Sequence, residues 1–174
     1  MNTRRLTTLA MLIAIYSVLS ILTPIKIVNF KFTFEAFPIL VASLLLGPVD
    51  GLIVGGVGSF IYQLLFSGYG ITATTMFWVL PHAASGLLVG IYAKVKNFNL
   101  SFKQISIISI ISALLVTALN TLALYIDSKM FGYYSSTLVF GGLLVKIITG
   151  IFLALIYASV LPNLIAFLRK QLKK

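Results

Sequence analysis

Few residues in this chain of 174 could do chemistry, and they are easily counted. The acids are Glu35, Asp50 and Asp127, His82 and Trp78 are the single histidine and tryptophan, and Lys146 stands inside a long apolar run. Cysteine is absent, which excludes disulfides, thiolate metal sites and thiol nucleophiles. One histidine without cysteine gives no basis for a transition-metal site, so no metal is expected. A His-Glu-x-x-His pattern is missing, as is a Ser, His and Asp set suited to an intramembrane protease. The stretch Gly142-Leu-Leu-Val-Lys146 is no phosphate loop, which excludes ATP hydrolysis by this chain. Three acids are too few for a proton relay along a transport path. Neither catalysis nor a cofactor is therefore expected, and the chemistry left to these residues is binding.

Lys146 is the most informative of them. If its helix enters the membrane near Thr137, nine residues at about 1.5 Å each put the ammonium roughly 13 Å down, near mid-bilayer. A charge there is costly and should face the protein interior or water. Asn120, His82 and Trp78 fall at a similar level on two other predicted helices. These four groups lie beneath loops carrying Tyr69, Tyr133 and Tyr134, and beneath a segment in which Phe30, Phe32 and Phe34 alternate around Lys31. A period of two predicts an extended strand with one aromatic face. Together they describe a pocket for a flat, polar or anionic molecule. Blander readings exist for each: an aromatic belt at the interface, a hydrogen-bonded core histidine, and a structural ion pair of Lys146 with Asp127 or Glu35.

The elements that must carry these residues follow from composition. Hydrophobic residues make up 60% of the chain and charged ones 9%, with a mean hydropathy of +1.09. A soluble surface cannot be built from that mixture. The net charge of +10 is distributed between apolar runs, which points to lipid headgroups, not nucleic acid, as its partner. Uncharged runs predict an all-α integral membrane protein, one domain over 1–174, with spans near 6–24, 34–47, 50–67, 72–93, 104–126 and 137–168. The second is short for a bilayer that takes about 20 helical residues to cross, so it must tilt, borrow residues 33–35 or lie partly in the interface. No small-x-small cleavage site follows the first run, so it reads as a span and not as a signal peptide. Arg4, Arg5, Lys94, Lys96, Lys103, Arg169, Lys170, Lys173 and Lys174 fall on one side, against Lys26, Lys31 and Lys129 on the other. That asymmetry predicts both termini in the cytoplasm.

Small residues recur at helical spacing in four spans. Gly51-x-x-x-Gly55-x-x-x-Ser59, Gly86-x-x-x-Gly90 and Gly150-x-x-x-Ala154-x-x-x-Ala158 are expected to pack helices within the chain. Ala10-x-x-x-Ala14, continued by Ser17, has that reading and a second one, contact with a partner helix.

The pattern resembles the substrate-binding S-components of energy-coupling factor (ECF) vitamin transporters. Ala10-Met-Leu-Ile-Ala14 corresponds to that family's Ala-x-x-x-Ala motif. Phe34-Glu-Ala-Phe-Pro-Ile, Leu-Leu-Gly47-Pro-Val and Gly51-x-x-x-Gly55 are similar to elements of the folate-type members. The resemblance implies a bundle of six transmembrane helices, N-in and C-in, in the cell membrane. It implies a vitamin bound at the outer face by Phe30, Lys31, Phe32, Phe34, Tyr69, Trp78, His82, Asn120, Tyr133, Tyr134 and Lys146. It further implies, as partners, a membrane-embedded coupling subunit contacting Ala10, Ala14 and Ser17, and two cytoplasmic ATPases. Folate is the cargo expected first, with cobalamin, a cobalamin precursor or pyridoxine as alternatives. A non-transport membrane scaffold or assembly factor, and an autonomous channel or secondary carrier, are the competing classes.

Overall fold

The computed structural model describes residues 3–22, 25–27, 30–68 and 70–172. In chain order these form α1 (Thr3–Leu22), β1 (Ile25–Ile27), β2 (Phe30–Phe32), α2 (Ala36–Leu45), α3 (Pro48–Leu65), α4 (Thr75–Val95), α5 (Phe102–Met130), α6 (Ser136–Phe140) and α7 (Leu143–Leu172). Five helical stretches, with α6 and α7 taken together as one, are long and apolar enough to cross a membrane. The protein is thus a helical multi-pass membrane bundle with one small antiparallel hairpin, β1 pairing β2 in the register Lys26 opposite Lys31. The expected strand ends at Phe32. At Phe34 the chain bends, and its ring meets Tyr157 edge-on at 6.3 Å.

The short second run has its own solution. Spanning 10 residues, α2 rises only about 15 Å, half of a hydrocarbon core. Pro38 through Ser43 and Leu44 are all buried, so α2 is apolar on every side and is surrounded by protein, not lipid. It starts at Ala36 and so does not borrow residues 33–35; neighbouring helices supply its environment. Its buried side chains join Tyr16, Val54, Val89 and Leu161 in the main core. Gly47, at φ +112°, makes the left-handed turn out of α2, and Pro48 opens α3 behind it.

The glycine motifs of α3 and α4 face one another. A methyl at Gly86 would fall 2.1 Å from the Gly51 carbonyl oxygen, and one at Gly55 would fall 2.2 Å from that of His82. The two backbones therefore touch where these side chains are missing. Ser43 of α2 ties into the same contact, donating to the Gly86 carbonyl at 2.9 Å. On α1, Leu9, Leu12, Tyr16 and Ser20 face inward, and the Tyr16 ring occupies the space left at Gly58.

The last predicted span is interrupted. After α6 the chain passes through Gly141 and Gly142 and begins α7, whose first turn contains Lys146, its amide donating to the Gly142 carbonyl at 3.0 Å. Lys146 therefore does not sit midway down one unbroken helix. From Lys146 to Arg169 the rise is about 34 Å at 1.5 Å per residue, a full hydrocarbon thickness. If Arg169 lies at one interface, Lys146 lies near the other, at the end carrying the hairpin. Two ends are thus defined: a hairpin end, with β1–β2 and the turns after α3 and α5, and a basic end. At the basic end Arg5 grips Asp50 through both carboxylate oxygens, Nε to Oδ1 at 3.0 Å and Nη2 to Oδ2 at 2.5 Å. Arg169 donates to the Leu44 carbonyl at 3.0 Å, capping the end of α2.

Candidate substrate-binding site

Above the N-terminus of α2, where a full-length helix would have continued, a cavity of about 1010 Å³ opens between α1, α3, α4, α5 and α7. That is at the upper end of the range for small-molecule sites. From α5 it is lined by Ser109, Ser112, Thr117, Asn120, Leu124 and Asp127. The spacing of three, five, three, four and three residues keeps them on one helical face. From α7 the lining residues are Val145, Lys146, Thr149, Gly150, Leu153, Ala154 and Tyr157. Gly150 and Ala154, read from sequence as packing residues, also widen this wall. A methyl on Gly150 would meet Ala113 at 3.5 Å, so the two faces close against each other there. Trp78 and His82 enter from α4, Tyr16 from α1, and Ser59, Tyr62 and Gln63 from α3.

The acids are all engaged. Glu35, just before α2, accepts a hydrogen bond from the Ser20 hydroxyl at 2.8 Å and lies 3.7 Å from His82 Nε2. The His82 ring stands edge-on to Tyr16 at 5.8 Å. Toward the hairpin end, Asp127 accepts from the hydroxyls of Thr74 and Tyr133, which joins α5 to the turns on either side of the cavity mouth. Asp50 is bound to Arg5 at the far end. Lys146 has no ion pair or hydrogen bond from its ammonium among the described residues, so the pairing with Asp127 or Glu35 is not formed. Both carboxylates are held by other groups instead. At the inner part of the cavity the Ser109 and Tyr157 hydroxyls are buried without a hydrogen-bond partner among the described residues. Tyr157 is fixed by ring contacts to Phe34 and Phe37 at 6.3 and 5.8 Å.

Of the residues singled out from sequence, Trp78, His82, Asn120, Tyr133 and Lys146 line this one cavity. Phe34 supports it from behind through Tyr157. Tyr134 turns away: it packs edge-on against Tyr125 at 5.6 Å, with the Lys129 ammonium 3.9 Å from its ring centroid. Tyr69 and the side chains of Phe30, Lys31 and Phe32 lie outside the described residues. Sequence reasoning passed over Tyr16, Ser109 and Tyr157, and read Glu35 only as a possible ion-pair partner of Lys146. The serine and threonine hydroxyls at helical spacing along α5 were a usable signal for the wall they form. On the outside of the bundle, Ala10 and Ala14 are exposed and Ser17 is half-buried, donating to the Ile13 carbonyl at 3.1 Å. They share the outer side of α1 with Met11, Ile15 and Val18, which are also exposed.

The architecture has close parallels among solved structures. The chain superposes on an S component of a bacterial ECF transporter with a TM-score of 0.72 at 27% identity, covering 95% of this chain and 97% of the other. A crystal structure of FolT bound with folic acid matches with a TM-score of 0.70 at 21% identity, covering 94% of each chain. The S-component for biotin from an ECF-type ABC transporter matches at 0.67 and 19%, again over 94% of each. No curated protein sequence matches. The family model for the ECF transporter substrate-specific component matches residues 4–161. The match to this family model over residues 4–161, on a bundle that encloses an aromatic and polar cavity, makes this a substrate-binding subunit and not an enzyme: the chain belongs to the family of ECF transporter substrate-specific components.

Proposed function

We infer that this protein captures a vitamin, folate first among the candidates, at the outer face of the cell membrane for an ATP-driven importer. The observation that carries the reading is the cavity itself: about 1010 Å³, bordered by the only tryptophan and by tyrosines, with a lysine in its wall whose ammonium has no acid partner among the described residues. Aromatic faces stack on a flat ring, and an ammonium without an acid suits a carboxylate. The FolT structure with folic acid is among those the fold resembles. Import would be driven from outside the chain, by a coupling subunit docked on the Ala10, Ala14 and Ser17 side of α1 and by two cytoplasmic ATPases. The basic end, with Arg4, Arg5, Lys94, Lys96, Lys103, Arg169 and Lys170, would face the cytoplasm together with both termini.

The test is mass spectrometry of small molecules released by denaturing the protein after purification in detergent from cells grown in rich medium. Stoichiometric folate is expected. A corrinoid or pyridoxine would keep the transport role and replace the cargo. An empty cavity, together with failure to co-purify with a coupling subunit, would refute the transport reading in favour of a membrane scaffold.

A further inference from the structure

A second cavity, of about 190 Å³, lies at the basic end, between the end of α2, the turn joining α4 to α5, and the later part of α7. It is smaller than the usual site for a vitamin-sized molecule. Its lining combines the apolar side chains of Leu44, Pro162 and Ile165 with Asn99 and Arg169. Arg169 is half-buried, donates through Nη2 to the Leu44 carbonyl at 3.0 Å, and has its guanidinium carbon 5.9 Å from the Phe98 ring centroid. A guanidinium carries five N–H donors, and the others have no acceptor among the described residues. Of the chain's three acids, Glu35 and Asp127 border the large cavity and Asp50 is held by Arg5. A fixed cation thus lines a cavity that has no carboxylate in its wall.

The turn that completes this cavity is held in a costly shape. Asn97 and Phe98 are successive non-glycine residues in the left-handed region, at φ +49° and +57°. Asparagine tolerates that conformation, whereas a bulky aromatic residue rarely adopts it. The Phe98 ring sits in the space beside Gly47, where an added methyl would stand 3.4 Å from Phe98 Cζ. Packing against the exit of α2 therefore fixes the ring, and the ring and the Leu44 carbonyl together fix Arg169. Lys94, Lys96, Lys103 and Lys170 are exposed at the same end, a positive field of the kind that gathers anionic headgroups. Ala166 belongs to the lining and is itself exposed, so the cavity reaches the outer surface of α7, beside the exposed Phe167.

We propose that this cavity binds the phosphodiester headgroup of an anionic phospholipid. The phosphate takes the remaining donors of Arg169, which suits a planar fork of N–H groups, and the amide of Asn99. The glycerol and the first methylenes of the chains lie on Pro162, Ile165 and Ala166. A free phosphate shares the anionic chemistry, but the apolar lining and the opening toward the outside of α7 favour the lipid. The site is separate from the large cavity and does not depend on what that cavity holds.

The experiment is native mass spectrometry of the full chain released from an uncharged detergent, titrated with palmitoyl-oleoyl phosphatidylglycerol or with the matching phosphatidylcholine. One saturable phosphatidylglycerol is expected, bound about tenfold or more tighter than phosphatidylcholine, whose choline cation the surrounding lysines repel. Arg169→Gln should weaken it by about 10- to 100-fold. Lys170→Gln removes the same charge from the next, exposed position outside the cavity, and should change binding by less than about 5-fold. Ala166→Trp fills the cavity with the Arg169 bond to Leu44 left in place, so it remains informative if Arg169→Gln does not fold; it too should remove the lipid. Equal losses in Arg169→Gln and Lys170→Gln, or none in either, would overturn the proposal in favour of diffuse attraction to the surface. Equal binding of the two lipids, or wild-type affinity in Ala166→Trp, would overturn it as well. Displacement of phosphatidylglycerol by millimolar inorganic phosphate would overturn the lipid and assign the site to a free anion.

Discussion

Replacing Arg5 by alanine should cost more stability than neutralising its partner, although both changes break the same ion pair. The Asp50 side chain is 1% exposed and that of Arg5 45%. Removing the arginine therefore leaves a buried carboxylate uncompensated, whereas Asp50→Asn leaves a guanidinium that can turn to water or lipid headgroups. Breaking a fully buried pair costs about 3–5 kcal/mol. Half-exposure of Arg5 lowers that figure, and so does the position of Asp50 in the first turn of α3, where the helix dipole favours a negative charge by about 0.3–1 kcal/mol. About 2–3 kcal/mol is expected for Arg5→Ala and about 1 kcal/mol for Asp50→Asn. At about 2–4 °C per kcal/mol for a chain of this size, these are drops in Tm of about 4–12 °C and 2–4 °C. Thermal unfolding in detergent, followed by Trp78 fluorescence, reads both. The double variant should recover part of the Arg5→Ala loss, since no charge is then stranded. Equal losses in the two single variants, or a larger one for Asp50→Asn, would refute this account of where the cost lies.

Four further outcomes follow from the geometry. Lys146→Ala should weaken a carboxylate ligand by about 10- to 100-fold with Tm nearly unchanged, as the lysine has no acid partner to strand among the described residues; ligand titration and melting of the purified variant check this, and lost stability with intact affinity would make the lysine structural. Gly86→Ala should cost about 1–3 kcal/mol or more through its collision with the Gly51 carbonyl. Gly56→Ala, where the new methyl meets Ala83 Cβ at 3.6 Å, should be neutral or slightly stabilising in the same melting assay. Tryptophan at both Ala10 and Ala14 should abolish cellular uptake while leaving ligand affinity intact, because those positions lie outside the bundle; parallel loss of uptake and binding would remove α1 from the docking role.

Much of the helical bundle was legible because hydropathy alone marks segments that cannot face water. The glycine contacts of α3 with α4 were legible too, since Gly51, Gly55 and Gly86 repeat at a spacing that only close helix packing requires. The lining of the candidate cavity was legible where a polar residue is conspicuous. Trp78, His82, Asn120 and Lys146 each stand out within an apolar run, and they share the cavity. Glu35 was read only as a possible partner of Lys146 because it stands at the end of a loop; only the shortness of α2 brings it to the cavity wall. Tyr157 was hidden for a similar reason: within Gly150-x-x-x-Ala154-x-x-x-Ala158 the small residues draw attention to packing, yet they clear the space its hydroxyl borders. Tyr134 fails in the opposite direction, since an aromatic in a loop beside Tyr133 offers no local sign that Lys129 and Tyr125 will hold it aside.

The half-length of α2 carries one more consequence. A helix that stops halfway leaves the bundle with a missing wedge, which under the proposed function the cargo fills. Occupied, the upper half would become a continuous solid of protein and ligand; empty, it is a hollow of about 1010 Å³ between the helices. The cargo is then part of the fold in the loaded state, and binding free energy is stored as cohesion of the bundle. A partner that drives delivery has to undo that cohesion, so the strength with which this protein holds its cargo sets the least work its release requires.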